Sequence, residues 1–219
     1  MNLFGLSPAA LREFFAGLGE QPFRATQVLK WVYHRGVLDF EAMTDLSRAL
    51  RARLQETARV EPPPVAGRQQ SVDGTWKWLM GLDDGNCVET VYIPDEERGT
   101  LCISSQVGCA LGCSFCSTGY RGFNRDLTTA EIVGQVWQAR RELAAGGAGR
   151  PLTNVVLRGM GEPLLNLDQV LPALQLLLDD LAFGLGRRRV TLSTAGVVPA
   201  LERLRVECPV SLAVSLHAP

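Results

Sequence analysis

Long apolar runs are missing from this 219-residue chain. None reaches the roughly 20 residues that a membrane-spanning helix requires. The first residues, MNLFGLSPAALREFF, lack a basic segment followed by a long apolar one, so they do not read as a secretory signal. An excess of either charge is also missing. The 22 Lys and Arg stand against 23 Asp and Glu, for a net charge of −1, and that removes any global electrostatic case for nucleic-acid binding. Histidine is scarce: His34 and His217 are the only two, and neither is near a cysteine in sequence. No internal repeat or low-complexity tract is present.

What remains is a globular composition, 46% hydrophobic and 21% charged, for which a cytoplasmic location is the default expectation. RNA contacts, if the chain makes them, must come from local basic patches. Arg187, Arg188 and Arg189 form one candidate, and Arg48, Arg51 and Arg53 another. Each reads equally well as a solvated helix or loop face.

Periodicity divides the chain into three parts. Residues 1–64 read as a small helical domain. Ser7 is an N-cap with Pro8 at N1 for a helix through Phe15. Phe23 to Tyr33 carries apolar residues at helical spacing, and a third helix is expected from Leu46 to Thr57. Pro62-Pro63-Pro64 ends helical structure. Residues 65–99 read as a β meander or linker, with strands Val65 to Val72, Trp76 to Leu82 and Cys87 to Ile93 joined at Asp73-Gly74 and Asp84-Gly85. Residues 100–219 alternate. Strand LCISSQV, helix Thr128 to Ala144, strand NVVLRG, helix Leu167 to Leu181, strand RVTLS, helix Val197 to Val206 and strand VSLAVSL make a βαβαβαβ pattern. The fold class is therefore α/β, with a parallel sheet covered by helices. Four strands cannot close a barrel, so the sequence is expected to hold only part of one.

Six cysteines are present, at 87, 102, 109, 113, 116 and 208. Cys109, Cys113 and Cys116 sit within GCALGCSFCSTG at C-x3-C-x2-C spacing. Such crowding without an export signal favours metal ligation over disulfides. Thiolates suit iron–sulfur clusters or zinc. A structural zinc site is normally closed by four ligands, whereas three cysteines on a four-iron cluster leave one iron open. A zinc site completed by His34 or His217 is the alternative. The loop follows the first strand of the alternating region, at the end of the sheet where such folds build active sites.

C-x3-C-x2-C after the first strand of a β/α domain resembles the radical S-adenosylmethionine superfamily. The flanking segments TLCISSQVGCALGCSFCSTG, GFNRDLTTAEIVGQV, LRGMGEPLLN, TLSTAG and LAVSLHAP resemble the family that methylates adenine C2 in 23S ribosomal RNA and transfer RNA. The resemblance spans the whole chain and is most specific from Glu89 to Pro219.

It implies a partial radical S-adenosylmethionine (β/α) barrel behind an RNA-docking helical domain. It implies a [4Fe-4S] cluster on Cys109, Cys113 and Cys116, with S-adenosylmethionine chelating the open iron. Gly161, Glu162, Ser193, Ser215, Leu216 and His217 would line the cofactor site, with Glu162 accepting from the cofactor's amino group. Glu89 would be the base, and Cys102 the thiol that resolves a covalent intermediate by closing a disulfide. Cys87 and Cys208 match no motif and read as structural. The resemblance further implies 23S rRNA and tRNA as partners, a reducing electron donor, no membrane, and a monomer.

Adenine C2 lies between two ring nitrogens and is too electron-poor to attack a sulfonium methyl group, so a radical route is needed. In the family the methyl group travels on a cysteine of the C-terminal part, which lies past Pro219, as does an asparagine that helps bind the cofactor. The sequence is accordingly expected to be a fragment or the product of a truncated gene. Two other readings stay open: the related adenine-C8 methyltransferases, and a non-catalytic RNA-binding or zinc module.

Overall fold

The structure is a computed structural model, and it describes residues 1–146 and 151–216. The first helix, α1 (Pro8–Gly17), begins as its sequence dictates. The Ser7 side chain accepts from the Ala10 N–H at 3.2 Å, Pro8 opens the first turn, and Leu11 and Phe15 are buried. Helix α2 (Phe23–Leu29) runs directly into a π-helical turn, Lys30–His34. Helix α3 (Arg48–Thr57) is capped by Ser47, which accepts from the Leu50 N–H, and it buries Leu50 and Leu54. These three helices match the expected helical region.

Four strands then form an antiparallel run: β1 (Val65–Gln70), β2 (Trp76–Gly81), β3 (Cys87–Pro94) and β4 (Gly99–Ile103). Next come β5 (Gln106–Gly108), the short helix α4 (Ser117–Tyr120), β6 (Phe123–Asp126) and helix α5 (Thr129–Ala145). The chain continues with β7 (Asn154–Leu157), α6 (Leu167–Leu178), β8 (Val190–Thr194), α7 (Val198–Glu207) and β9 (Ser211–Val214). Among the described residues the strands form one seven-stranded sheet, ordered β1-β2-β3-β4-β7-β8-β9, and a separate β5-β6 ribbon. Strands β4, β7, β8 and β9 are parallel. The sheet is open, with β1 and β9 at its edges.

Two features go beyond the sequence pattern. The meander is not set apart from the parallel strands: β3 pairs with β4 along Val91↔Cys102 and Tyr92↔Leu101, so β1–β3 are the antiparallel half of the same sheet. The segment expected as one strand, LCISSQV, breaks after Ile103. Its second half leaves the sheet as β5 to pair with β6.

The two faces of the sheet differ because side chains alternate along each strand. One face, with Trp78, Tyr92, Leu101, Val155 and Val190, is fully buried. Helix α5 packs on it through Ile132, Val136 and Ala139. The Thr128–Glu131 capping box starts this helix, and such a box satisfies two orphan donors at once. The Trp137 indole donates to the Val32 carbonyl at 2.9 Å and the Gln138 amide to the Pro63 carbonyl at 2.8 Å, fixing α5 to the helical region. The opposite face, with Glu89, Val91, Cys102, Val156 and Thr191, is only half covered.

Gly134 lies in α5 where the Pro63 ring crosses the helix, and a Cβ there would collide with Pro63 Cδ. Helix propensity alone favours Gly134→Ala by about 1 kcal/mol. Overpacking against a rigid ring costs about 1–3 kcal/mol. The expected result in urea unfolding is a net loss of about 1 kcal/mol, and a more stable Gly134→Ala protein would refute this packing.

Candidate active site

The site is organised around Ser104, Ser105 and Gln106, which join β4 to the cysteine loop. All three are buried. Having left the sheet, their backbone groups need other partners. Gln135, fully buried on α5, supplies them. Its Oε1 accepts from the Ser104 N–H at 2.8 Å and its Nε2 donates to the Ser104 carbonyl at 2.9 Å. The side-chain amide thus replaces a neighbouring strand. The same Oε1 accepts from the Thr90 hydroxyl at 2.9 Å. Asn166 Nδ2 donates to the carbonyls of Ser105 and Leu127, at 2.8 Å each. Ser104 Oγ donates to the Glu89 carbonyl at 2.7 Å and accepts from the Met160 N–H at 2.9 Å.

The GMGEP loop after β7 packs on this segment. Ser105 and Gln106 both donate their N–H groups to the Met160 carbonyl, at 2.8 and 3.2 Å. Gln106 Oε1 accepts from the Glu162 N–H at 2.9 Å. Gly161 has φ of +96°, and a Cβ there would lie 2.5 Å from Gln106 Cβ, so only glycine fits. Glu162 itself is 4% exposed. Its Oε1 accepts from the Leu164 N–H at 3.0 Å and the Thr194 hydroxyl at 2.7 Å, and its Oε2 from the Ala195 N–H at 2.9 Å. The Ser215 N–H then donates to the Thr194 carbonyl at 2.8 Å. Glu162 therefore ties the carboxyl ends of β7 and β8, and Ser215 adds that of β9. A carboxylate has about four acceptor sites, so Oε2 keeps capacity for one more donor.

The cysteine loop leaves β5 at Gly108, whose φ of +79° and contact with the Gly122 backbone admit no side chain. Cys109 N–H donates to the Gly122 carbonyl at 3.0 Å, and Cys116 N–H to the Cys113 carbonyl at 3.0 Å. Arg125 on β6 anchors the returning strand. It pairs with Asp84 of the β2–β3 turn and makes a bidentate 2.9 Å contact with Glu131 of α5. Cys109, Cys113 and Cys116 are partly exposed free thiols, as Cys102 is. Burial raises the Cys109 thiol; the Leu111 N–H opposes that rise, and the charges of Cys113, Cys116 and Glu162 add to it. Cys113, Cys116 and Glu162 are thus within electrostatic reach of Cys109.

Among the described residues no three His, Cys, Asp or Glu side chains converge to hold one metal ion. Three soft, partly exposed thiols on a glycine-hinged loop are the donor chemistry that an iron–sulfur cluster takes. His34 bonds instead to the Asp180 carbonyl, at 3.0 Å. His217 lies outside the described residues.

Glu89, Cys102 and Ser193 share the half-covered sheet face. Val91 pairs with Cys102, Cys102 with Val156, and Val156 with Thr191. Glu89 and Ser193 each lie two residues along from members of that row. Glu89 is a diagonal neighbour of Cys102, which places their Cβ atoms roughly 7–8 Å apart. The Glu89 carboxylate meets Lys77 Nζ at 3.3 Å on the surface. Burial raises the Cys102 thiol, and Arg158 acts in the opposite sense. Leu216 is 84% exposed, beyond β9.

Fold and loop together define an α/β protein with a mixed sheet that presents three thiols at the carboxyl end of its parallel strands. The Radical SAM superfamily model matches residues 103–219, and the chain belongs to that superfamily. The model described as Ribosomal RNA large subunit methyltransferase N-terminal domain matches residues 1–60. The chain is 61% identical over its full length to the Dual-specificity RNA methyltransferase RlmN of Alkalilimnicola ehrlichii, and 59% identical to that of Marinobacter nauticus. It spans 60% of the length of each. It also superposes on the crystal structure of a radical SAM methyltransferase from Sphaerobacter thermophilus. The TM-score is 0.90 at 43% identity, covering all of this chain and 64% of that one.

Gln135, Ser104, Gln106, Asn166 and Thr194 were not singled out by sequence motifs. The available signal was a glutamine amid the buried residues of α5, in IVGQVWQ, where an amide needs partners. Gln135→Leu leaves both Ser104 backbone groups and the Thr90 hydroxyl unpaired, at about 1–3 kcal/mol for each buried group. We expect a loss of about 3–5 kcal/mol in urea unfolding and faster exchange of the Ser104 amide. A loss below about 1 kcal/mol would remove Gln135 from this role.

Proposed function

We propose that this chain is the cluster- and cofactor-binding part of a radical S-adenosylmethionine methyltransferase that methylates C2 of an adenine in 23S rRNA and in tRNA. The observation that carries the reading is the shared sheet face of Glu89 and Cys102. It leads along β4 and Ser104–Gln106 into the cysteine loop. When bound, the cluster and S-adenosylmethionine supply a one-electron cleavage of the sulfonium that yields a carbon radical.

The chain's own residues do the rest. Cys109, Cys113 and Cys116 hold the cluster and leave one iron for the cofactor. Glu162 accepts from the cofactor's ammonium through the remaining capacity of Oε2, while Gly161, Ser193, Ser215, Leu216 and His217 line its seat. Glu89 takes the proton from adenine C2, a position that requires hydrogen-bond reach of the base. Lys77 orients that carboxylate. Cys102, as thiolate, attacks the sulfur that links RNA to the methyl-carrying cysteine, closing a disulfide as the carbon–sulfur bond breaks; the electron pair of that bond stays with the RNA-bound methylene, which takes a proton to become the methyl group. Residues 1–64 dock the RNA. An external reductant supplies electrons, and the protein works as a monomer in the cytoplasm. Among the described residues no helix is long and apolar enough to cross a membrane.

The test is anaerobic reconstitution with iron and sulfide, then incubation with reductant, S-adenosylmethionine and unmodified rRNA or tRNA transcripts. The 219 residues, which lack the methyl-carrying cysteine of the family, are expected to release 5′-deoxyadenosine without methylating the RNA, whereas the same assay on a chain continued through that cysteine is expected to find 2-methyladenosine by nucleoside mass spectrometry. Finding 8-methyladenosine there would move the chain to the C8 class, finding no methylation there would sink the reading, and repeated methylation by the 219 residues alone would overturn the carrier assignment. Alanine at Cys109, Cys113 or Cys116 is expected to abolish iron binding. A triple variant that retains a full complement of iron would overturn the ligand assignment.

A further inference from the structure

The basic patches visible in sequence are poorly placed to meet a nucleotide at the site. Arg51 pairs with Glu41 at 3.5 Å, and Arg53 donates to the Leu18 carbonyl at 2.8 Å. Arg187–Arg189 precede β8, at the opposite end of the sheet from the cysteine loop.

Arg158 is different. It directly follows β7, at the carboxyl end where the cysteine and GMGEP loops gather. It lies one residue past the end of β7 and two from Val156, whose strand partner is Cys102. Its backbone is fixed on both sides. The Arg158 N–H donates to the Val156 carbonyl at 3.0 Å, and the next N–H, of Gly159, donates to the Ile103 carbonyl at 2.9 Å. The side chain is exposed. Among the described residues it has no hydrogen bond or ion pair, whereas the carboxylate of Glu89 is already paired with Lys77. The guanidinium is close enough to act on the Cys102 thiol. A cation on a fixed backbone, unneutralised beside the two residues assigned to the chemistry, awaits an anion from outside the chain.

We propose that Arg158 binds a phosphodiester of the RNA at the nucleotide being modified, seating that nucleotide over Glu89 and Cys102. The inference rests on the proposed function. In that reading the cofactor's carboxylate is taken by the open iron, so the anion left for Arg158 is the nucleic-acid backbone. The planar guanidinium suits it, because its parallel N–H groups match two phosphate oxygens. This makes Arg158 a substrate-binding residue at the mouth of the site, separate from the docking assigned to residues 1–64.

The experiment measures binding of a short RNA hairpin with one loop adenine, by fluorescence anisotropy between 50 and 200 mM salt. The whole reconstituted protein is compared with Arg158→Gln and Arg158→Lys. One lost phosphate contact should weaken binding about 5–10-fold at low salt. It should also make the slope of log K against log salt shallower by about 0.7–0.9. Arg158→Lys should keep the slope and most of the affinity, since it keeps the charge. S-adenosylmethionine affinity, measured in parallel, should be the same in all three proteins. Equal RNA affinity and slope for Arg158→Gln overturns this inference and leaves the proposed function standing. Lowered S-adenosylmethionine affinity with unchanged RNA binding overturns it in favour of the cofactor's carboxylate. Failure of the unaltered protein to bind the hairpin overturns the proposed function and this inference with it.

Discussion

A buried backbone segment that has left its sheet must find new hydrogen-bond partners, and most of this site follows from how Ser104–Gln106 finds them. Had β4 simply continued, the cysteine loop would emerge beside β7 with no tie to β3 or α5. Instead the Gln135 amide occupies the place of a neighbouring strand at Ser104. Asn166 does the same for the carbonyl of Ser105. The chain is free to turn out into β5 without leaving a buried amide or carbonyl unpaired. Because Ser104 also bonds to β3 and to the GMGEP loop, one tripeptide sets Glu89, Cys102, the cysteine loop and Glu162 in a common frame.

Glu162 holds the sheet with its carboxylate, and in the proposed function the same carboxylate receives the cofactor. Its three hydrogen bonds hold β7, β8 and the turn after β8 together. Those same bonds deny it rotational freedom, so the remaining acceptor direction on Oε2 is fixed in space. In the proposed function an ammonium group arriving there meets an oriented carboxylate rather than a flexible side chain, and replacing Glu162 would then change the sheet as well as the ligand seat.

The order of elements was legible because the patterns were local. The Ser7-Pro8 and Thr128–Glu131 starts, the Asp-Gly turns and the βα alternation each depend on a few neighbouring residues. The three cysteines were legible for the same reason. What the sequence hid was long-range. Nothing near Ser104 announces that Gln135, 31 residues away, will complete its hydrogen bonds. Nothing in the meander says that β3 will lie against β4 to make one sheet, because strand pairing is set by the whole sheet. The Arg187–Arg189 cluster stood out in sequence, yet it lies at the end of the sheet away from the cysteine loop. Arg158, a single residue in NVVLRG, stands out only once β7 is seen to end beside β4.

Electrostatics separates the two kinds of thiol. At Cys109 burial is the main influence that disfavours the thiolate, and the nearby Cys113, Cys116 and Glu162 add to it. The Leu111 N–H is the opposing contribution among these causes. Cys102 faces the reverse arrangement. Burial raises its thiol, but the neighbouring charge is the positive Arg158. Arg158 opposes, without reversing, the effect of burial on that thiol.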